Sequence, residues 1–162
     1  MTCFKQVYQS PLGTMVLVGD DQYLMGLFFE DQPALVDTTG VAVGWTKPLL
    51  AARDWLDDYF AGRRPAVNRV PIKPELTPFR TKVIQALQQV SYGQTTTYRQ
   101  LSDQIQAGVS HPQNKARAVG GAVGHNPILL LVPCHRVIGQ DGSLTGYSAG
   151  LTRKKWLLDF EQ

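Results

Sequence analysis

Among two cysteines and three histidines, one of each stands side by side: Cys134 and His135, in the stretch LVPCHRVIG at residues 131–139. A thiolate is a strong nucleophile, and histidine is the side chain best suited to make one near neutral pH. Three roles fit Cys134. A free cysteine is among the most buried residue types and is usually inert packing. A metal ligand needs companions, and three histidines without a C-x-x-C pair make a poor zinc set. A nucleophile needs a base within reach. Neighbours in a regular strand point to opposite faces, so Cys134 and His135 couple only where the backbone turns, or through a water. Pro133 before the pair and a loop after Val137 fit such a turn.

Two other features carry chemistry. Glu161 lies four residues after Leu157, hence on the apolar side of a closing helix. A carboxylate there, near the negative end of the helix dipole, is unfavourable without a partner. It is either a frayed, solvated glutamate or one that orients a histidine. The second is NKARAVGGAVGHN, where Ala116, Ala118, Gly120, Gly121, Ala122 and Gly124 form a helix of small residues around Arg117. Each glycine costs such a helix about 1 kcal/mol relative to alanine. Another backbone or a nucleic-acid duplex must therefore come close. Close helix packing and a solvated or phosphate-bound arginine are the plainer alternatives.

The elements that must position these residues divide the chain. Residues 1–70 read as a scaffold domain. CFKQVY, TMVLVG and YLMGLFF are apolar, β-branched or aromatic runs separated by QSPLG and DDQ, which predicts an antiparallel meander. A helix follows, with Leu49, Ala52, Leu56, Tyr59 and Phe60 on one stripe and Gly62 as its stop. RRPAVNRVPIKPELTP has four prolines and no helical period, which puts a linker and a domain boundary near residues 65–76.

Residues 77–162 read as a second, mainly helical domain. Thr77 caps a helix with Pro78 at its first position, and Phe79, Val83, Ala86, Leu87 and Val90 form its stripe. Thr97 and Gln100 have capping-box spacing at the start of another helix, whose buried side is Tyr98, Leu101 and Ile105. After the turn AGVSHPQ comes the small-residue helix, ended by Asn126-Pro127. Two short helices across a glycine-containing turn predict a helix-turn-helix. ILLLV is a short buried strand or extended segment. The last helix has Trp156, Leu157 and Phe160 inward and Arg153, Lys154 and Lys155 outward. The fold class is α+β: a small N-terminal antiparallel sheet with a helix, then a winged-helix-like domain.

Charge separates the same halves. Residues 1–76 carry a net −2 and residues 77–162 a net +5. The basic half matches a polyanionic partner, though a solvated basic surface has the same composition. The longest apolar run, Ile128–Val132, is too short to cross a bilayer. The first residues show no charged segment followed by an apolar one, and the two cysteines are far apart. These features predict a cytoplasmic protein with free thiols and no membrane association.

PCHRV, preceded by RAVGGAVGHNP and followed by GYSAGLTRKKWLLDFE, resembles the O6-alkylguanine-DNA alkyltransferases. The resemblance spans about residues 77–161 by order and spacing; the N-terminal part matches in outline. It implies a DNA-repair protein that binds double-stranded DNA containing O6-alkylguanine, flips the damaged nucleotide, and moves the alkyl group to its own cysteine once per molecule. The resemblance leaves O4-alkylthymine open as a second substrate, and the preference between the two lesions is not read from the sequence. The resemblance implies Cys134 as nucleophile and His135 with Glu161 as a relay acting through a water. It implies Arg117 as the residue entering the stack and Tyr98 as the one pressing on the phosphate and supplying a proton. Ala116, Gly120 and Gly121 would let DNA approach. Pro133, Val137, Tyr147 and Ser148 would line the guanine pocket, and Asn126 would tie the helix-turn-helix to the active segment. No cofactor and no metal are expected, and the protein should act as a monomer. The turn AGVSHPQNKA is longer than the family's usual one. A DNA-binding regulator with a structural cysteine and a hydrolase with a Cys–His–Glu triad are the competing classes.

Overall fold

The computed structural model describes residues 2–33 and 35–162 and divides into two compact units, Met1–Glu75 and Leu76–Gln162. In the first, β1 (Phe4–Ser10), β2 (Gly13–Gly19) and β3 (Leu24–Phe29) form the expected antiparallel meander, and a two-residue β4 (Ala42–Val43) pairs parallel to β1. The sheet order is β3-β2-β1-β4. Asp20 builds the β2–β3 turn, its Oδ1 accepting from the backbone N–H groups of Gln22 and Tyr23, 2.8 Å each. Helix α1 (Lys47–Phe60) is capped by the Thr46 side chain and packs on the sheet through Leu49, Ala52, Leu56 and Tyr59. Their i, i+3, i+7, i+10 spacing puts them on one face.

The proline-bearing stretch expected to be a linker is fastened to this unit. Leu24 N–H donates to Pro71 O at 2.8 Å and Lys73 N–H to Leu24 O at 2.9 Å. Trp55 Nε1 donates to Ala66 O at 3.1 Å, and Val70 is buried. The reason is the edge: β3 ends the sheet, and its backbone groups need partners that a proline-rich extended chain can still supply, through a proline carbonyl and a non-proline N–H.

The second unit contains α2 (Pro78–Leu87), β5 (Thr96–Thr97), α3 (Tyr98–Ile105), α4 (Ala116–Gly124), β6 (Val137–Ile138) and α5 (Leu151–Phe160). Thr77 caps α2 as expected, but the helix stops at Leu87, so Val90 lies past its end. Both bonds of the Thr97/Gln100 capping box are formed. Helices α2, α3 and α4 pack on one another, and α3 and α4 are the helix-turn-helix pair. Their connection, residues 106–115, exceeds the 3–4 residues usual for the motif. Gln106 secures it: Oε1 accepts from Gln113 N–H at 2.8 Å, and Nε2 donates to the Ser102 hydroxyl at 3.0 Å and to Gln113 O. The Ser102 hydroxyl in turn accepts from Lys115 N–H at 2.8 Å.

ILLLV is buried throughout but forms no regular strand. Leu130 has φ +68°, in the left-handed region, and Leu131 N–H closes a three-residue turn on Leu129 O at 2.8 Å. That conformation is costly for leucine and persists because its surroundings impose it. In α5, Leu157 is buried, while Trp156 and Phe160 are half-buried and stacked 4.8 Å apart. The expectation that Lys154 faces outward is wrong: it has no exposed surface. It stands three residues before Leu157 and seven before Glu161, on the same helical face as both.

Candidate active site

Cys134 and His135 open a single 3₁₀ turn, Cys134–Arg136, that leads into β6. Pro133, at φ −82° and ψ 63°, makes the bend before it, and Cys134 N–H closes on Val132 O at 2.8 Å. These angles and this bond describe an inverse γ-turn. Such a turn frees two consecutive side chains from the opposed faces that a strand would impose on them.

Asn126 holds that segment in place. Its Nδ2 donates to Val132 O at 3.0 Å, and its Oδ1 accepts from Ile128 N–H at 3.0 Å. The side chain thus replaces the ladder that a regular strand would have supplied, at a site 1 % exposed. Val132 O accepts from both Asn126 and Cys134, so the amide sets the bend that carries the thiol.

His135 and Glu161 form the buried centre. His135 Nε2 lies 2.7 Å from Glu161 Oε2, and the two residues are 0 % and 2 % exposed. A carboxylate only accepts, so Nε2 carries the proton and Nδ1 carries the lone pair. Nδ1 is buried and has no hydrogen-bond partner. Burial holds the imidazole below its ordinary pKa, against the pull of Glu161, so the ring is neutral at neutral pH. A neutral ring with a free, buried lone pair is a base in waiting.

Arg136 completes the centre. Its Nε donates to Glu161 Oε1 at 2.8 Å and its Nη2 to Oε2 at 3.0 Å, a two-point pair. Nη1 donates to Val90 O at 2.8 Å, and the guanidinium lies 5.6 Å from the centre of the Tyr92 ring. Gly93 N–H reaches Glu161 Oε1 at 3.5 Å. Gly93 has φ +78°, and a Cβ there would stand 3.1 Å from Glu161 O, so glycine serves both the turn and the approach.

The thiol is 2 % exposed, and burial pushes it up to about 11. The Asn126 amide and the Lys154 charge act in the opposite direction, favouring the thiolate. In the resting protein Cys134 is therefore a thiol beside a neutral imidazole. A reaction at sulfur must remove a proton as it proceeds.

The comparisons bear on what this site belongs to. Residues 78–162 match the DNA-binding domain of 6-O-methylguanine DNA methyltransferase, and residues 3–74 match that protein's ribonuclease-like domain. The chain belongs to the O6-methylguanine-DNA methyltransferase family. Methylated-DNA–protein-cysteine methyltransferases from Mycolicibacterium paratuberculosis and Haemophilus influenzae are 41% and 34% identical to it. The alignments cover 94% and 96% of this chain and 88% and 84% of theirs. The crystal structure of Mycobacterium tuberculosis OGT in complex with DNA superposes with a TM-score of 0.85 at 37% identity, covering 98% of this chain and 92% of that one.

Within this methyltransferase fold the remaining residues separate into two groups. Near the thiol, Tyr147 has a buried hydroxyl without a hydrogen-bond partner, and burial, then the Cys134 charge, raise it well above its ordinary pKa. Ser148 is half-buried beside it in sequence; Pro133 and Val137 are buried. Tyr98 opens α3, donates its hydroxyl to Thr145 O at 3.2 Å, and lies over Gly120, where a Cβ would stand 3.7 Å from its ring. Arg117 and Gly121 instead share an exposed face of α4, while Ala116 and Gly120 are half-buried.

Sequence reasoning missed two side chains. Arg136 was inside the PCHRV motif but had no assigned role; its signal is that a buried glutamate needs a cation as well as a histidine. Lys154 had a signal in its helical phase. Among the described residues no group of three or more His, Cys, Asp or Glu is gathered as metal ligands would be, and no helix is long and apolar enough to cross a membrane.

Proposed function

We propose that this methyltransferase repairs double-stranded DNA by taking the alkyl group of O6-alkylguanine, and of O4-alkylthymine, onto Cys134. The observation that carries the reading is the buried His135–Glu161 pair, whose unpartnered Nδ1 is next in chain to a buried thiol. Cys134 loses its proton through a water to His135 Nδ1. Glu161, fixed by Arg136, stabilises the imidazolium that results. The Sγ–alkyl carbon bond forms as the carbon–O6 bond breaks, and the electron pair leaves with the guanine oxygen. A proton from Tyr98 neutralises the base, and exchange with solvent restores Tyr98 and His135. The product is a thioether, so each molecule acts once.

The substrate's target atom is inaccessible in a stacked duplex, so the nucleotide has to leave the helix. The exposed Arg117, with the small residues Ala116, Gly120 and Gly121 on its helix, suits the role of entering the vacated stack from a closely approaching α4. Tyr98, at the base of the same motif, suits the push on the phosphate. Pro133, Val137, Tyr147 and Ser148 are the candidates for gripping the guanine, and Asn126 is the hinge between helix-turn-helix and nucleophile. The protein acts as a monomer, in the cytoplasm, without a cofactor.

The test is to mix the protein with duplex DNA carrying O6-methylguanine and read intact and peptide masses. One methyl group per chain, on Cys134, is expected. A methyl group on Cys3, or none on Cys134 while the duplex is bound, overturns the reading.

A further inference from the structure

Lys154 is a buried cation that the proposed reaction does not yet use. It has no exposed surface, although lysine is almost never fully buried unless paired. Its Nζ donates to Thr145 O at 2.7 Å and to Gly146 O at 3.1 Å. Both acceptors are neutral carbonyls. No carboxylate faces it among its described contacts.

Those two carbonyls sit immediately before Tyr147 and Ser148 in the loop between β6 and α5. Gly146 has φ +45°, so the chain bends sharply where the ammonium grips it. Thr145 O accepts a second hydrogen bond, from the Tyr98 hydroxyl at 3.2 Å. One carbonyl therefore joins α5, through Lys154, to the start of the helix-turn-helix, through Tyr98. Remove the ammonium and Gly146 O loses that donor, while Thr145 O keeps the one from Tyr98.

The second half of the argument is charge. The charge of Lys154 is felt by Cys134 and His135 on the 3₁₀ turn; Glu161, on its own helix, is already engaged by Arg136 and His135. Tyr147, on the pocket loop, responds to Cys134, Arg153 and Glu161. Burial lowers Lys154 to about 8, and the Cys134 charge acts to raise it again. The ammonium is thus desolvated, with two carbonyl dipoles as its partners among the described residues, until an anion forms within reach of its charge. The thiolate is that anion. An interaction absent in the resting thiol and present in the reacting thiolate lowers a barrier without tightening the ground state.

We infer that Lys154 is a positioning residue of the transfer site, whose ammonium both clamps the pocket loop at Thr145 and Gly146 and supplies the counter-charge for the Cys134 thiolate. This rests on the proposed alkyl transfer for the loop, but the pairing of lysine with thiolate is a property of the free protein. Three substitutions separate the parts. Lys154→Met removes clamp and charge, Lys154→Gln keeps a hydrogen-bond donor without charge, and Lys154→Arg keeps charge.

Two rates are read near neutral pH on variants shown to be folded by circular dichroism. The first is carbamidomethylation of Cys134 by iodoacetamide, followed by peptide mass without DNA. The second is single-turnover methyl transfer from O6-methylguanine duplex. Lys154→Gln and Lys154→Met should each slow the first by about tenfold, the equivalent of about one unit in the thiol's pKa, and Lys154→Arg should recover most of it. Transfer should slow in the order Arg, Gln, Met, with binding of undamaged duplex unchanged. Wild-type iodoacetamide rates in folded Lys154→Gln overturn the counter-charge. Equal transfer by Gln and Met variants overturns the clamp. If Lys154→Met fails to fold, Lys154→Gln against Lys154→Arg still decides the charge, and a Gly146→Pro variant, which distorts the same carbonyl, replaces it for the clamp. A wild-type protein that reacts with iodoacetamide yet takes no methyl group from DNA defeats the alkyl-transfer reading and leaves the Lys154–Cys134 pairing standing.

Discussion

Arg136 meets Glu161 at two points, Nε to Oε1 at 2.8 Å and Nη2 to Oε2 at 3.0 Å, inside the protein. The carboxylate that orients His135 is therefore itself oriented. Breaking a buried pair from one side leaves an uncompensated charge, so Arg136→Met should cost about 3–5 kcal/mol of stability. Arg136→Lys, which cannot make the planar two-point contact, should lose part of that. Denaturant unfolding of the two variants measures both. A cost for Arg136→Met under about 1 kcal/mol, the range of an exposed pair, contradicts the arrangement.

Asn126→Ala tests how the nucleophile is held. It removes a donor from Val132 O and the acceptor for Ile128 N–H, both buried. An unsatisfied buried group costs about 1–3 kcal/mol, so a loss near the upper end is expected. It also takes away the amide that favours the Cys134 thiolate, so reaction of Cys134 with iodoacetamide should slow at fixed pH. A variant of normal stability and normal thiol reactivity would show that the segment is held otherwise.

The pH dependence of stability has a defined sign. His135 is held below its ordinary value of 6.5 in the folded protein, chiefly by burial. The unfolded chain then binds the proton first, so stability is complete above that ordinary value and is lost as pH falls below it. The lowered carboxylates Asp20, Asp37, Asp58 and Asp141 act in a lower window, below 3.8. Unfolding free energies measured across the mildly acid range should fall with pH in the wild type and be flatter in His135→Gln. Parallel curves for the two proteins count against a buried neutral imidazole.

Arg117→Ala separates extrusion from chemistry. Arg117 is exposed on α4. Its loss should slow repair of duplex DNA by about tenfold, or about 1.4 kcal/mol, and leave reaction with the free modified base nearly unchanged. Equal losses on both substrates remove Arg117 from the flipping role.

Much of this was legible in residue order. Thr77 and Thr97 are legible as caps because cap chemistry is local. The meander was legible for a similar reason: its strands alternate with turns that carry their own signals. The order of residues leaves Glu161 open between solvent and a histidine, since a helix end alone does not say what packs against it. Arg136 and Lys154 were less accessible still. Both look like surface residues by type, and both are buried because partners distant in sequence satisfy them, Val90 and Glu161 for one and Thr145 and Gly146 for the other. ILLLV read as strand or extended chain because five apolar residues carry no period. The turn at Leu130 depends on packing that no local pattern encodes.

The bond between His135 and Glu161 closes a loop of 26 residues. During synthesis the nucleophile emerges from the ribosome well before the residue that orients its base. A nascent chain thus exposes Cys134 as an ordinary thiol, without a relay, until α5 has been translated and has docked. It is the completed fold that shelters the sulfur from stray electrophiles, since the docked chain leaves Cys134 2 % exposed and its thiol pushed up to about 11.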